Sequence, residues 1–194
     1  MRSFLKSYLW IPALVGLLVY LPVLQLGSAW GDDHVVIDPI ARDLKLMLAG
    51  FYKNIPGTHF FPFSFFQCYF INLIFGSKAF PFGFHLYQLI CHVSACFFAT
   101  LVLYKLTKNK LISIIVILMW TVHPINVETL TRLVCAPAHV PAGTFALIFL
   151  LCFLEAKDKK DIRTKVILLC TGMLFFLFSL TSYEQYKLTF PNLK

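Results

Sequence analysis

Charge is what this sequence has least of. Only 13% of its 194 residues are Asp, Glu, Lys or Arg, and nine of those are acids. With 59% hydrophobic residues, a soluble reading would require burying most of the chain, which the surface-to-volume ratio of one small domain forbids. GxSxG, P-loop, GxGxxG and HExxH are missing too, so hydrolase, nucleotide-binding and zincin readings have no support. Cysteines stand at Cys68, Cys91, Cys96, Cys135, Cys152 and Cys170, without CxxC or zinc spacing and nearly all inside apolar runs. They read as small packing residues rather than a disulfide or metal framework. There is no internal repeat, low-complexity tract or flexible linker.

What is present is a series of apolar runs with the charges bunched between them and a positive mean hydropathy. That is the pattern of an integral membrane protein. Twenty-one Phe residues suit lipid-facing and helix-packing surfaces. The net charge of +8 is not a nucleic-acid signal, because no basic groove with interleaved soluble aromatics accompanies it. Ten of the seventeen basic residues form three clusters, Arg2/Lys6, Lys105/Lys108/Lys110 and Lys157/Lys159/Lys160/Arg163/Lys165. Each flanks an apolar segment, as cytoplasmic anchors do.

The expected fold is an all-α polytopic membrane bundle, one domain over residues 1–194, with five to six membrane segments. These fall at 7–26, 60–75, 82–104, 111–125, 138–154 and 166–182. Pro12 and Pro22 in the first are tolerated where neighbours satisfy the freed carbonyls. A cleaved signal peptide is its rival reading, since Gly27-Ser28-Ala29 follows, although the apolar run is too long for a typical signal core. Residues 28–59 form the longest polar loop. Within it, 40–51 mixes charged and apolar residues at near-helical spacing, which reads as a short helix in the membrane interface or on a luminal cap.

Placing all three basic clusters in the cytoplasm puts Asp32/Asp33, His123/Glu128 and Glu184 together on the periplasmic or luminal side. This requires the segment 60–82 to dip into the membrane and return rather than cross.

Chemistry is sought at those acids, because a carboxylate is costly in hydrocarbon, roughly 2.5–3.5 kcal/mol on insertion scales. Asp32 and Asp33 could act as general base, as oxygen ligands to Mg²⁺ or Mn²⁺, or as a solvated loop pair. His85, Gln88 and His92 stand at i, i+3 and i+7 with Cys96 continuing the face, a stripe turned toward other helices. It could bind a sugar or phosphate, ligate a metal, or hydrogen-bond between helices. His123-Pro124 ends an apolar run and Glu128 follows, with Arg132 at i+4 as an ion-pair partner. Glu184 comes last, after Thr181-Ser182-Tyr183.

In order, the chain thus carries Asp32-Asp33, Phe60-Phe61-Pro62-Phe63, His85/Gln88/His92, His123-Pro124/Glu128, and Ser182-Tyr183-Glu184 with Pro191. This ordered series, over about residues 25–194, resembles the N-terminal part of polytopic GT-C glycosyltransferases. Closest are the transmembrane and tetratricopeptide-repeat O-mannosyltransferases and their bacterial relatives. That family shows an Asp-Asp loop, Tyr-Arg-Pro-Leu, His-x-x-Asn-x-x-x-His, His-Pro-x-x-x-Glu with a following Gly-Arg, and Ser-Lys-Glu.

The resemblance implies a polyprenyl-phosphate sugar donor, Asp32 or Asp33 as base or metal ligand, and Glu128 and Glu184 as supporting acids. His85, Gln88, His92 and His123 would bind substrate. Three family cations are replaced here, by Phe61, Ala136 and Tyr183. Such cations would be expected to stabilise a phosphate leaving group. Their loss favours a degenerate relative that has kept the fold and become a non-catalytic accessory subunit of a larger membrane complex. The alternatives are a lipid-linked sugar transferase, or a fragment of one, and a channel or transporter subunit. Expected partners are membrane lipid and other membrane proteins, with no nucleic acid.

Overall fold

A computed structural model describes residues 8–27, 42–49, 62–76, 80–133 and 138–182, and among them all regular secondary structure is helical. Helix α1 (Ile11–Tyr20) runs into a 3₁₀ segment, Leu21–Gln25. Pro12 and Pro22 stand at the start of the two pieces. Pro22 has no N–H to donate and crowds the carbonyl four residues back, so the α-helix tightens there instead of continuing. Together the pieces reach about 25 Å, at about 1.5 Å and 2 Å per residue respectively, short of a hydrocarbon core of about 30 Å. Next come the short α2 (Leu44–Ala49) and α3 (Pro62–Phe75). Met47 of α2 is buried with Phe65, Cys68 and Ile71 of α3.

The three helices long and apolar enough to cross a membrane are α4 (Phe82–Thr107), α7 (His139–Asp158) and α8 (Ile162–Ser182). A fourth crossing is counted if α5 (Lys110–Thr121) and α6 (Ile125–Thr131), bent by 59° at the break between them, form one span. The hub is α4: 56% of its most apolar stretch is buried within the chain, against 6% for α8. Sequence explains the difference. His85, Gln88, Cys91, His92, Ala95, Cys96 and Thr100 give α4 a small and polar face that neighbours can approach closely. Long apolar side chains such as Ile167, Met173 and Leu177 leave α8 exposed all along its outer side.

Side-chain contacts fix the helix directions. Lys105 near the end of α4 pairs with Glu155 at 2.7 Å and Asp158 at 3.1 Å near the end of α7, so these two run parallel. Thr144 of α7 donates to the Cys91 carbonyl of α4 at 2.9 Å. Helix α5 returns against α4, with the Thr121 hydroxyl donating to Cys96 Sγ at 3.3 Å. Helix α1 is antiparallel to α4 as well, Ala13 packing with Cys96 and Tyr20 with Leu89. Helix α8 returns along α7, Ser179 donating to the Ala142 carbonyl at 2.9 Å.

One end of the bundle therefore collects Lys105, Lys108, Lys110, Lys157, Lys159, Lys160, Arg163 and Lys165. The other collects His85, Gln88, Asn126, Glu128, Arg132, His139 and Ser182. Helix α3 meets only that second end. Ser64 donates to the Ser182 carbonyl at 2.6 Å and Gln67 to the Ser182 hydroxyl at 3.1 Å, while Phe75 lies against Gly83 at the start of α4.

At the basic end the chain enters α8 through Asp161. Its carboxylate accepts the Thr164 N–H at 2.9 Å and the Thr164 hydroxyl at 2.6 Å. These bonds hold the Asp161 carboxyl below its ordinary value. A depressed folded value means the stabilisation is present above the unfolded value of about 3.9 and is lost as pH falls through the folded one. Asp161→Ala is expected to fray the first turn of α8, seen as faster amide exchange at Thr164 and Lys165 relative to the intrinsic rate. Wild type should keep that protection until the pH drops below about 3.9. Unchanged exchange in Asp161→Ala would deny the carboxylate this capping role.

Candidate functional site at a broken helix

The candidate site is built where α5 gives way to α6. Pro124 cannot continue a hydrogen-bonded helix through its own nitrogen, so the turn leaves the last carbonyls of α5 and the first N–H groups of α6 without intrahelical partners. Backbone bonds of the turn, such as His123 N–H to the Trp120 carbonyl at 3.1 Å and Asn126 N–H to the His123 carbonyl at 3.0 Å, and local side chains take them up. Asn126 Nδ2 donates to the Trp120 carbonyl at 2.6 Å and to the Thr121 carbonyl at 3.3 Å. His123 Nδ1 accepts the Ile125 N–H at 3.2 Å. At the far end of α6, Gln88 Nε2 reaches across from α4 to the carbonyls of Thr129 at 2.9 Å and Arg132 at 2.8 Å. Gln88 and His123 from the sequence motifs, with Asn126 between His123 and Glu128, thus hold one broken helix in place.

The α4 stripe is fully buried: His85 and Gln88 are 0% exposed and His92 3%. His85 Nε2 lies 3.5 Å from the Gly27 carbonyl, just past the 3₁₀ segment that follows α1. The His92 ring meets Tyr20 edge-on at 5.0 Å and Trp120 at 5.6 Å between centroids, and its Nε2 is 3.6 Å from Cys96 Sγ. The stripe accordingly ties α4 to α1, α5 and α6. Gln67 of α3 adds a further polar contact, accepting the Tyr87 hydroxyl.

His123 and Glu128 stand on the exposed side of the break. Glu128 accepts from Arg132 Nη1 at 3.0 Å, four residues on. Asp32, Asp33 and Glu184, with Phe61, Ala136 and Tyr183, lie outside the described residues; of the interfacial segment expected over 40–51, residues 42–49 are described and include the short helix α2. Among the described residues no three His, Cys, Asp or Glu side chains come together as metal ligands.

Beneath the break is a cavity of about 140 Å³ between α4, α5, α6 and α7. Trp120, Asn126, Thr129 and His139 line it together with His92. Of these, sequence reasoning singled out only His92. Pro124 was the available signal, because a broken helix brings polar capping groups and empty space to the same place. Compared with family models, curated proteins and solved structures, the chain matches none of them.

Proposed function

We propose that this chain is a GT-C-like membrane protein without catalytic activity, serving as an accessory subunit in a larger membrane complex. The observation that carries this reading is the use of α4's polar stripe. Gln88 donates both amide hydrogens to carbonyls of the α6 end, and His85 and His92 are enclosed by α1 and α5. Gln88 and His85, which a transferase would turn toward its substrate, here meet backbone carbonyls of other elements of the bundle. The replacement of family cations by Phe61, Ala136 and Tyr183 supports it from the sequence side.

In the arrangement we favour, the α1-bearing segment 7–26, α4, the α5–α6 pair, α7 and α8 cross the membrane, and α3 enters and leaves on one side. Eight described cations at one end of the bundle support a cytoplasmic placement for that end and for the N-terminus. Glu128 and the acid-bearing segments around Asp32, Asp33 and Glu184 then face the periplasm or lumen. The exposed apolar side of α8, including Ile167, Met173 and Leu177, is offered to lipid or to a neighbouring subunit.

Isolation from the native membrane in mild detergent tests the proposal. A stoichiometric set of unrelated membrane proteins is the expected result. A lone monomer carrying polyprenyl-phosphate lipid would overturn it in favour of the transferase reading, which the ordered motifs keep in view. In that case Asp32→Asn and Asp33→Asn should abolish sugar transfer and leave membrane insertion intact. Transfer at wild-type rates in both variants would remove the two aspartates from the chemistry.

A further inference from the structure

The cavity under the broken helix has a size, a lining and a missing side chain that together specify a ligand. A space of roughly 150 Å³ holds one benzene-sized ring, and this one, open at the exposed Trp120, His139 and Gly143, measures about 140 Å³. Much of its wall is apolar, formed by Ala95, Leu130, Val140 and Leu147, with Trp120 and His92 beside them. A sugar, which needs a partner for every hydroxyl, is poorly served by such a wall.

The polar contribution is narrow. Asn126 gives its amide hydrogens to the Trp120 and Thr121 carbonyls, and Thr129 gives its hydroxyl hydrogen to the Ile125 carbonyl at 3.1 Å. What these two side chains still offer a ligand is acceptor oxygen, while the Trp120 indole and the His139 imidazole, which also line the space, bring ring nitrogens; a hydroxyl, which both donates and accepts, matches that set. No Lys, Arg, Asp or Glu lines the space, and Arg132 at the end of α6 is paired with Glu128. A charged occupant would find no counter-ion among these side chains, so the lining suits an uncharged one.

Gly143 completes the argument. It sits inside α7 where glycine is the least favourable helix former after proline, and a Cβ built on it meets nothing within 4 Å. Gly143 is exposed at the edge of the cavity, so packing between helices does not require glycine at this position, and its lack of a side chain leaves that edge open. We infer that the space between α4, α5, α6 and α7 is a binding site for a single uncharged ring carrying a hydroxyl, of the phenol or cyclohexanol class. This goes beyond the accessory role proposed above and does not depend on it.

The full chain in detergent would be irradiated with a trifluoromethyl-diazirinyl phenol and the labelled residues mapped by mass spectrometry. Labelling is expected to concentrate on peptides holding Trp120–Leu130 and His139–Leu147. Phenol or cyclohexanol should displace it about tenfold more effectively than benzene. Phenyl phosphate and glucose should not displace it. Gly143→Leu should cut that labelling by tenfold or more while the thermal unfolding midpoint stays level or rises. If Gly143→Leu does not fold, Gly143→Ala should give a smaller cut of the same sign. Thr129→Val should erase most of phenol's advantage over benzene. Label spread evenly over the exposed side of α8, label unchanged in both Gly143 variants, or displacement by phenyl phosphate as effective as by phenol would each overturn the site.

Discussion

Replacing Gly172 by leucine is expected to separate α8 from α7 and to lower the thermal midpoint of the protein by about 6–12 °C. A Cβ at this glycine would stand 3.1 Å from Cys152 Cβ, 3.4 Å from Phe149 Cδ2 and 3.5 Å from the Phe149 carbonyl oxygen. Leucine adds three more carbons into that contact. Neither a backbone oxygen nor a Cβ can swing aside, so the helices must move. Overpacking of this kind costs about 1–3 kcal/mol. The upper value applies here because no flexible side-chain tip absorbs the insertion, and about 3 kcal/mol corresponds to the stated shift in a chain of this length.

The effect is large because α8 has few other attachments, its contacts being almost all with α7 and the start of α3. Gly172→Ala separates crowding from helix propensity: alanine gains about 1 kcal/mol of propensity and must displace its neighbours by a few tenths of an ångström. A shift within about 3 °C, one kcal/mol or less, is expected. With the exposed Cys170 replaced by serine, buried Cys68, Cys91 and Cys96 make a thiol-reactive fluorophore a reporter of unfolding in both variants. A Gly172→Leu midpoint equal to that of Gly172→Ala would show that the α7–α8 contact is looser than the distances indicate.

The long helices were legible from hydropathy, but their ends were not. The apolar runs at 82–104, 138–154 and 166–182 stop at the first charges, whereas the helices continue to Thr107 and Asp158 and begin at Ile162. The extra turns carry Lys105, Glu155, Asp158, Arg163 and Lys165. Long charged side chains lay their stems along the helix and keep their heads at the membrane surface, and Lys105 links two of these acids across α4 and α7. A hydropathy profile penalises such residues and ends the helix too soon.

The break after residue 121 was likewise visible at Pro124, and the inward turn of His85, Gln88 and His92 followed from their spacing. What those side chains meet was not visible. Their acceptors include backbone carbonyls at Gly27, Thr129 and Arg132, and a carbonyl carries no sequence signature. The cavity is harder still to foresee, because it depends on a 59° bend and on the side chain Gly143 lacks. Asp32, Asp33 and Glu184 stand in the sequence with no described geometry to weigh them against.

The resemblance to a transferase and the structure place different demands on Gln88, and that residue gives the second large effect. Its amide closes the C-terminal end of α6, a helix of seven residues too short to hold itself. The carbonyls it satisfies are among the last of that helix and have no intrahelical donor. Interhelical hydrogen bonds in membrane proteins average about 0.6 kcal/mol and reach about 1.7. Two made by one fully buried side chain put the expected loss for Gln88→Leu at about 2 kcal/mol, with α6 loosened from α4 before the bundle itself opens.

Gln88→Glu sharpens the test. An ionised carboxylate facing two carbonyl oxygens is repelled by both, so folding should raise the Glu value above the ordinary 4.3 or so. A raised folded value destabilises above the unfolded one and is without effect well below it. Relative to wild type at each pH, Gln88→Glu should therefore be less stable than Gln88→Leu at pH 8 and recover as the pH falls toward about 4. Amide exchange over Ile125–Thr131, followed beside the thermal midpoint, reads the two consequences separately. If both variants match wild type in exchange there, Gln88 does not hold α6, and the polar stripe of α4 becomes free for a ligand.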